Sequence, residues 1–183
     1  MISTLAFFVG YYNVKTHYKG RHLLSTFASL PYAMPGTVLA FAIILQWPAR
    51  DAMLMIGLAY LVKYLSYGVK VFSPAIANVH KSLEEASLVS GASWPKTLYK
   101  IWLPVLRSSF TTTCFLVFAP LFSELTMSII LIGPGQPTIG ARLFQLQEYE
   151  SPNQACVLAV IILTIVIGLN AAVKKMSRGK LGV

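Results

Sequence analysis

The residues whose types and spacing could do chemistry in this sequence are few, and most lie between Ser82 and Pro104. That stretch is the longest polar interruption in an apolar chain. Ser82 followed three residues later by Glu85 fits a capping box, in which hydroxyl and carboxylate each take a backbone N–H that a helix start leaves unpaired. Glu84 and Glu85 in the first turn also suit the positive end of the helix dipole. Gly91 fits the left-handed position that closes such a helix. Ser93 fits the cap of a second short helix, with Pro95 tolerated in its first turn. Pro104 is expected to bend the chain into the next apolar run. The spacing predicts helix, break, helix, break.

Glu124 stands apart from that stretch, inside an apolar run. A carboxylate within a membrane span costs about 2.5–3.5 kcal/mol on insertion scales, so it should face the bundle interior. There it either attracts a cation along a substrate path, pairs with Lys63, or lies shallow enough to reach the outer surface. Lys70 is near enough to the end of its run to snorkel, whereas Lys63 is deeper and needs a partner or water. Pro31, Pro35 and Gly36 interrupt another run. Such breaks are tolerated where the freed backbone faces protein or a watery cavity, and they often flank transport pathways. A packing kink with no pathway role is the alternative. His17 and His22 in a basic loop read as solvated residues, and Cys114 and Cys156 as packing residues; no metal site is expected. The sequence contains no Gly-x-x-x-x-Gly-Lys-Ser/Thr, Gly-x-Ser-x-Gly or His-Glu-x-x-His pattern. The chain is therefore not expected to be an enzyme, to hydrolyse nucleotide or to bind a cofactor.

The elements that must position these residues are membrane spans. The chain is 56% apolar and 11% charged. Several runs approach the ~20 apolar residues that cross a bilayer. Full spans are expected over Leu23–Trp47, Met53–Phe72, Ser108–Ile132 and Asn153–Val173. Met1–Tyr12 is about half a span. It lacks the positive start of a signal peptide and reads as the tail of a helix that begins outside this chain. Ser73 and Pro74 fit the cap and first position of a helix leading into a polar loop, 74–107. Pro120 is expected to break its span, and Ile139–Leu146 to form a short interfacial helix. The net charge of +9 is spread between apolar runs. That spread favours a topological cause over nucleic acid, which needs a concentrated basic face. Lys15, Lys19, Arg21, Lys70, Lys81, Lys96, Lys100, Arg107, Lys174, Lys175, Arg178 and Lys180 fall on one side of the alternating spans, against Arg50 and Arg142 on the other. The richer side, with the 74–107 loop and the C-terminus, is expected in the cytoplasm.

The Ser82–Pro104 stretch resembles the cytoplasmic signature of permeases in bacterial importers of the ATP-binding cassette type. That signature runs Glu-Ala-Ala, three residues, Gly, nine residues, Ile, one residue, Leu-Pro. Glu85, Ala86, Gly91, Ile101, Leu103 and Pro104 fall in register, and Ser87 in the second Ala position is the one departure. Leu30–Leu39, Tyr64–Val69 and Phe122–Leu125 look like the ferric-iron branch, although related branches carry thiamine, polyamines, phosphonates, sulfate or molybdate. The resemblance implies an all-α, polytopic transmembrane helix bundle of about four full spans plus a partial N-terminal one. It would be a single, N-terminally truncated domain over 1–183 with a cytoplasmic coupling-helix loop. The implied function is movement of substrate, ferric iron as first guess, from a periplasmic or lipoprotein binding protein to the cytoplasm. The implied partners are cytoplasmic ATPase subunits that use the ATP, a second permease unit, since the chain shows no internal repeat, and the lipid of an inner membrane. Glu84 and Glu85 would then either pair with basic residues of the ATPase or only cap and solvate the helix. Pro48–Ala52 and Gly133–Pro152 would receive the binding protein. A decayed or purely structural membrane fragment and a secondary transporter are the alternative readings.

Overall fold

The computed structural model of the chain describes residues 1–16, 19–47, 51–133 and 138–178, and among these every regular element is helical. Helix α1 (Ile2–Lys15) runs one turn past the expected Tyr12 and is about 21 Å long. Helices α2 (Arg21–Ala33) and α3 (Gly36–Gln46) stand where one span was expected, and they meet at 106°. The break falls at Met34 and Pro35. Proline has no N–H to donate and drives the residue before it out of helical geometry, and Met34 is extended at φ −79°, ψ 139°. Pro31 lies inside α2 and does not end it.

Helix α4 (Ala52–Ala77) begins at Asp51, whose carboxylate accepts the Met53 N–H at 3.0 Å. The helix start expected at Ser73 and Pro74 does not form. Helix α4 runs through both to Ala77, its last turns pinned by Phe72 and Ile76, which are fully buried. Helix α5 (Lys81–Val89) follows, then α6 (Trp94–Thr97), a π-helical turn at Leu98–Trp102 and α7 (Leu103–Val105). The wide turn lets the Leu103 N–H reach back to the Leu98 carbonyl just ahead of the donor-less Pro104. Pro104 is therefore absorbed, and the bend, 68°, comes two residues later at Leu106. Helix α8 (Arg107–Phe122) likewise contains Pro120 and stops two residues beyond it. The Ser123 hydroxyl donates to the Ala119 carbonyl at 3.2 Å, satisfying one of the carbonyls at the helix end. Helix α9 (Thr126–Leu131), helix α10 (Ile139–Gln145), a π-helical turn (Leu146–Glu150) and α11 (Pro152–Arg178) complete the chain.

Among the described residues two helices are long and apolar enough to cross a membrane alone, α4 and the Pro152–Leu169 part of α11. Counting each of the bent pairs α2–α3 and Trp94–Val105 with α8 as one span would bring the number to four by length and composition. Helix α4 is the central post. Its last turns meet α1 and α2 through Phe7, Ala28, Val69 and Phe72, and its first turns meet α3 through Leu39, Ile43, Met55 and Ile56. The broken pair α2–α3 thus follows α4 from one end to the other. Helix α1, at 14 residues, is shorter than these spans and packs closely on α4. A Cβ placed on Gly68 would overlap the Ala6 methyl, and one on Gly10 would lie 3.1 Å from the Phe72 Cβ. In lipid, helices associate through such close van der Waals contact because water drives no burial between them. Helix α11 leaves Val157, Val160 and Leu163 exposed, as a lipid-facing helix can. Cys114 and Cys156, expected as packing residues, are exposed on α8 and α11.

Candidate functional site

The polar stretch folds into a helical hairpin whose arms are α5 and Trp94–Val105. The capping box expected from Ser82 and Glu85 is not formed. Helix α5 starts two residues earlier than that box requires, and His80, with extended backbone, takes the cap position: its Nδ1 accepts the Ser82 N–H at 3.3 Å and lies 2.8 Å from the Ser82 hydroxyl. Gly91 does close α5, at φ 67°. Its N–H donates to the Leu88 carbonyl and the Ala92 N–H to the Ser87 carbonyl, the paired bonds of a Schellman ending. Ser93 stands at the cap of α6 without a side-chain bond. Ser87, the departure from the Glu-Ala-Ala pattern, is buried and its hydroxyl meets that of Thr97 at 2.7 Å, joining the two arms.

The consecutive glutamates part company. The Glu84 carboxylate turns inward, with one oxygen 2.9 Å from the Lys15 ammonium and the other accepting the Tyr11 hydroxyl at 3.0 Å. Glu85 turns outward and is exposed. So are Ser82, Ala86, Leu103 and Pro104, while Ile101 is half-buried. The outer surface of the hairpin carries Leu88, Val89 and Tyr99, at 72%, 89% and 74% exposure. Behind them a groove of about 430 Å³ runs between Tyr11, Lys15, Glu84, Glu85 and Trp94.

A second cluster lies at mid-height of α4. Glu124 sits in the non-helical link between α8 and α9. Its Oε2 is 3.4 Å from the Lys63 ammonium and accepts the Tyr64 hydroxyl, while Oε1 accepts the Met127 N–H at 3.3 Å. Its backbone carbonyl accepts the Ser128 hydroxyl at 2.8 Å, which in turn meets the Tyr60 hydroxyl. The carboxylate is thus spent on a neutralising cation, a tyrosine and the start of α9, which offsets the penalty of a charge in the bundle. Gly36, just past the α2–α3 break, packs here too: a Cβ on it would lie 3.1 Å from the Lys63 ammonium. Of the residues suggested for a substrate path, the fold therefore brings Glu124 and Gly36 together, with Pro35 next to them as the cap of α3, and leaves Pro31 within α2. Lys70, nearer the end of α4, is exposed with its ammonium 5.4 Å above the Tyr32 ring. Among the described residues no group of three or more His, Cys, Asp or Glu side chains could hold a metal ion. His17 and Arg50, and parts of the loops Pro48–Ala52 and Gly133–Pro152, lie outside the described residues.

Sequence reasoning did not find the Lys15–Glu84–Tyr11 contact or the Ser87–Thr97 pair. Both join segments whose spatial relation no local pattern encodes. The one available signal was Ser87 itself, a hydroxyl where the signature has a methyl.

The described residues thus form a helical bundle with apolar helices long enough to span a membrane, and the family it belongs to follows from comparison with known proteins. The chain matches, over residues 2–174, the family described as binding-protein-dependent transport system inner membrane component, and it belongs to that family. It is 25% identical over 155 residues to the putrescine transport system permease protein PotI of Escherichia coli (strain K12), covering 80% of this chain and 55% of that protein. It is 28% identical over 174 residues to the probable sulfate transport system permease protein cysT of Anthoceros angustus, covering 85% and 60%. A putative ferric transport system permease protein, FbpB 1 of Haemophilus influenzae, is 27% identical over 130 residues, covering 68% of this chain and 20% of that one. The chain thus spans little more than half the length of the first two relatives. Among solved structures, a bacterial ABC transporter involved in import of the acidic polysaccharide alginate shares the fold at a TM-score of 0.70 and 18% identity, covering 95% of this chain and 71% of that one.

Proposed function

We propose that this chain is the permease component of an ATP-driven importer, and that the hairpin of α5 and Trp94–Val105 is its coupling element. The observation that carries this reading is the hairpin's construction. It is closed by Gly91, stapled by Ser87 and Thr97, and tied to α1 through Glu84, yet it exposes Leu88, Val89 and Tyr99 beside the free carboxylate of Glu85. A stiff element with an apolar, negatively edged surface suits docking into a cleft of a separate ATPase subunit that supplies the ATP chemistry. Closure of two ATPases around nucleotide would then rock two permease units between inward- and outward-facing states. The hairpin and the C-terminus face the cytoplasm on the positive-inside count. The opposite end, around Asp51 and Arg142, faces the binding protein.

Ferric iron remains the first cargo to test, supported by the resemblance of Leu30–Leu39, Tyr64–Val69 and Phe122–Leu125 to the ferric branch. Putrescine and sulfate are the competing cargoes, from relatives that match 155 and 174 residues. The neutral Lys63–Glu124 pair suits a path that passes its cargo on better than a site that retains a cation. The test is co-purification with the ATPase encoded nearest to this chain, followed by vesicle uptake of radiolabelled ferric ion, putrescine and sulfate. Wild type should retain the ATPase, and Glu85→Ala combined with Gly91→Pro should lose it while still inserting into the membrane. Failure of the wild type to retain a folded ATPase would reject the reading.

A further inference from the structure

Resting on the importer reading, we propose that Lys15 and Tyr11 of α1 are positioning residues for coupling: they hold Glu84 so that α1 and the hairpin move as one body. The contact uses both oxygens of one carboxylate, at 2.9 Å to Lys15 and 3.0 Å to Tyr11, and the Lys15 and Glu84 side chains are only 12% and 23% exposed. A two-point, charge-assisted and largely desolvated contact fixes orientation as well as distance, unlike an exposed ion pair. The same two α1 residues also hold the second arm. The Lys15 ammonium lies 5.2 Å above the ring of Trp102, which is fully buried, and the Tyr11 ring meets Trp102 edge-on at 5.2 Å. One turn earlier, Phe8 stacks on Trp94 at 6.3 Å. Because Ser87 and Thr97 already join the arms, a displacement of either arm is passed to α1.

From α1 the displacement passes to α4 through its tightest contacts: Ala6 meets Gly68 with no room for another methyl group, and Gly10 lies against the Phe72 Cβ. Helix α4 carries Lys63 and Tyr64 to the Glu124 cluster. The short helix α1 therefore acts as the transmission between a moving hairpin and the kinked interior, a role the docking of a partner on the outer surface does not itself require.

The experiment uses spin labels in a background with Cys114→Ser and Cys156→Ser, with the permease reconstituted with its ATPase. One label at Lys96, exposed on the second arm and outside the proposed docking groups, marks the hairpin, with a second at either Leu5 on α1 or Val38 on α3. On adding ATP and vanadate, the Lys96–Val38 distance should shift by about 2 Å or more, while the Lys96–Leu5 distance holds. In Lys15→Glu, which sets two carboxylates together, the Lys96–Leu5 distance should hold without nucleotide and open with it. The exchange of charges, Lys15→Glu with Glu84→Lys, should restore it. A Lys96–Leu5 distance that changes in the wild type overturns the proposal, as does a Lys15→Glu protein that behaves like wild type or an exchange that does not restore it. An ATPase not retained by the wild type would instead reject the importer reading, and this proposal with it.

Discussion

Replacing Glu124 and Lys63 separately and together tests whether the interior cluster is built around the carboxylate. In Glu124→Met the Lys63 ammonium loses its carboxylate at 3.4 Å, and the Tyr64 hydroxyl and the Met127 N–H lose their acceptor. Removing one partner of a buried pair and stranding the other costs about 3–5 kcal/mol, so about 4 kcal/mol is expected. Lys63→Met is milder. The carboxylate keeps Tyr64 and the Met127 N–H, and the loss is that of one long charge-assisted contact, about 1.5 kcal/mol. The double variant strands no charge and leaves only the tyrosine and one N–H short of an acceptor, for about 3 kcal/mol. The singles thus exceed the double by about 2.5 kcal/mol, within the coupling expected of residues in contact. The assay is reversible unfolding in mixed micelles, with helicity followed against the mole fraction of denaturing detergent. Equal costs for the two single variants would refute the idea that Glu124 is held chiefly by groups other than Lys63, and a double variant equal to their sum would refute the coupling between the two.

Gly68→Val should lower stability by about 2–3 kcal/mol, since the new side chain overlaps Ala6 of α1, and the same unfolding assay reads it. Gly91→Ala meets open space but a left-handed backbone, so only strain of about 1–2 kcal/mol is expected, with the apparent affinity for the ATPase falling by up to tenfold in pull-down titrations. Trp102→Ala removes a ring that Phe7, Tyr11 and Lys15 all touch and should cost about 3–5 kcal/mol, visible as a loss of expression in the membrane fraction.

Much of this protein was legible from residue order. Helical class, membrane placement and the position of the hairpin follow from apolar run lengths and the Glu85–Pro104 spacing, and Gly91 ends α5 where its backbone freedom suggested. These are properties of a segment with itself. The breaks were less legible. Pro31, Pro74, Pro104 and Pro120 all lie within or between helical turns that continue past them, whereas Pro35 ends a helix. The difference is whether packing, as by Phe72 and Ile76 around Pro74, outweighs one lost hydrogen bond.

The roles of the charged residues belong to the tertiary structure. Glu84 and Glu85 are neighbours of the same type, and about 100° of helical rotation sends one toward Lys15 and the other outward. Which of them faces α1 depends on where α1 lies, and α1 lies there because Ala6, Gly10 and Gly68 permit close approach. Lys63 and Glu124, 61 residues apart, meet for the same kind of reason: two helix breaks and the central post converge at one height. The sequence by itself determined which segments are helices and which side chains are polar. The fold decided which polar side chains are spent on each other and which remain for a partner, because burial of a charge is set by everything packed around it.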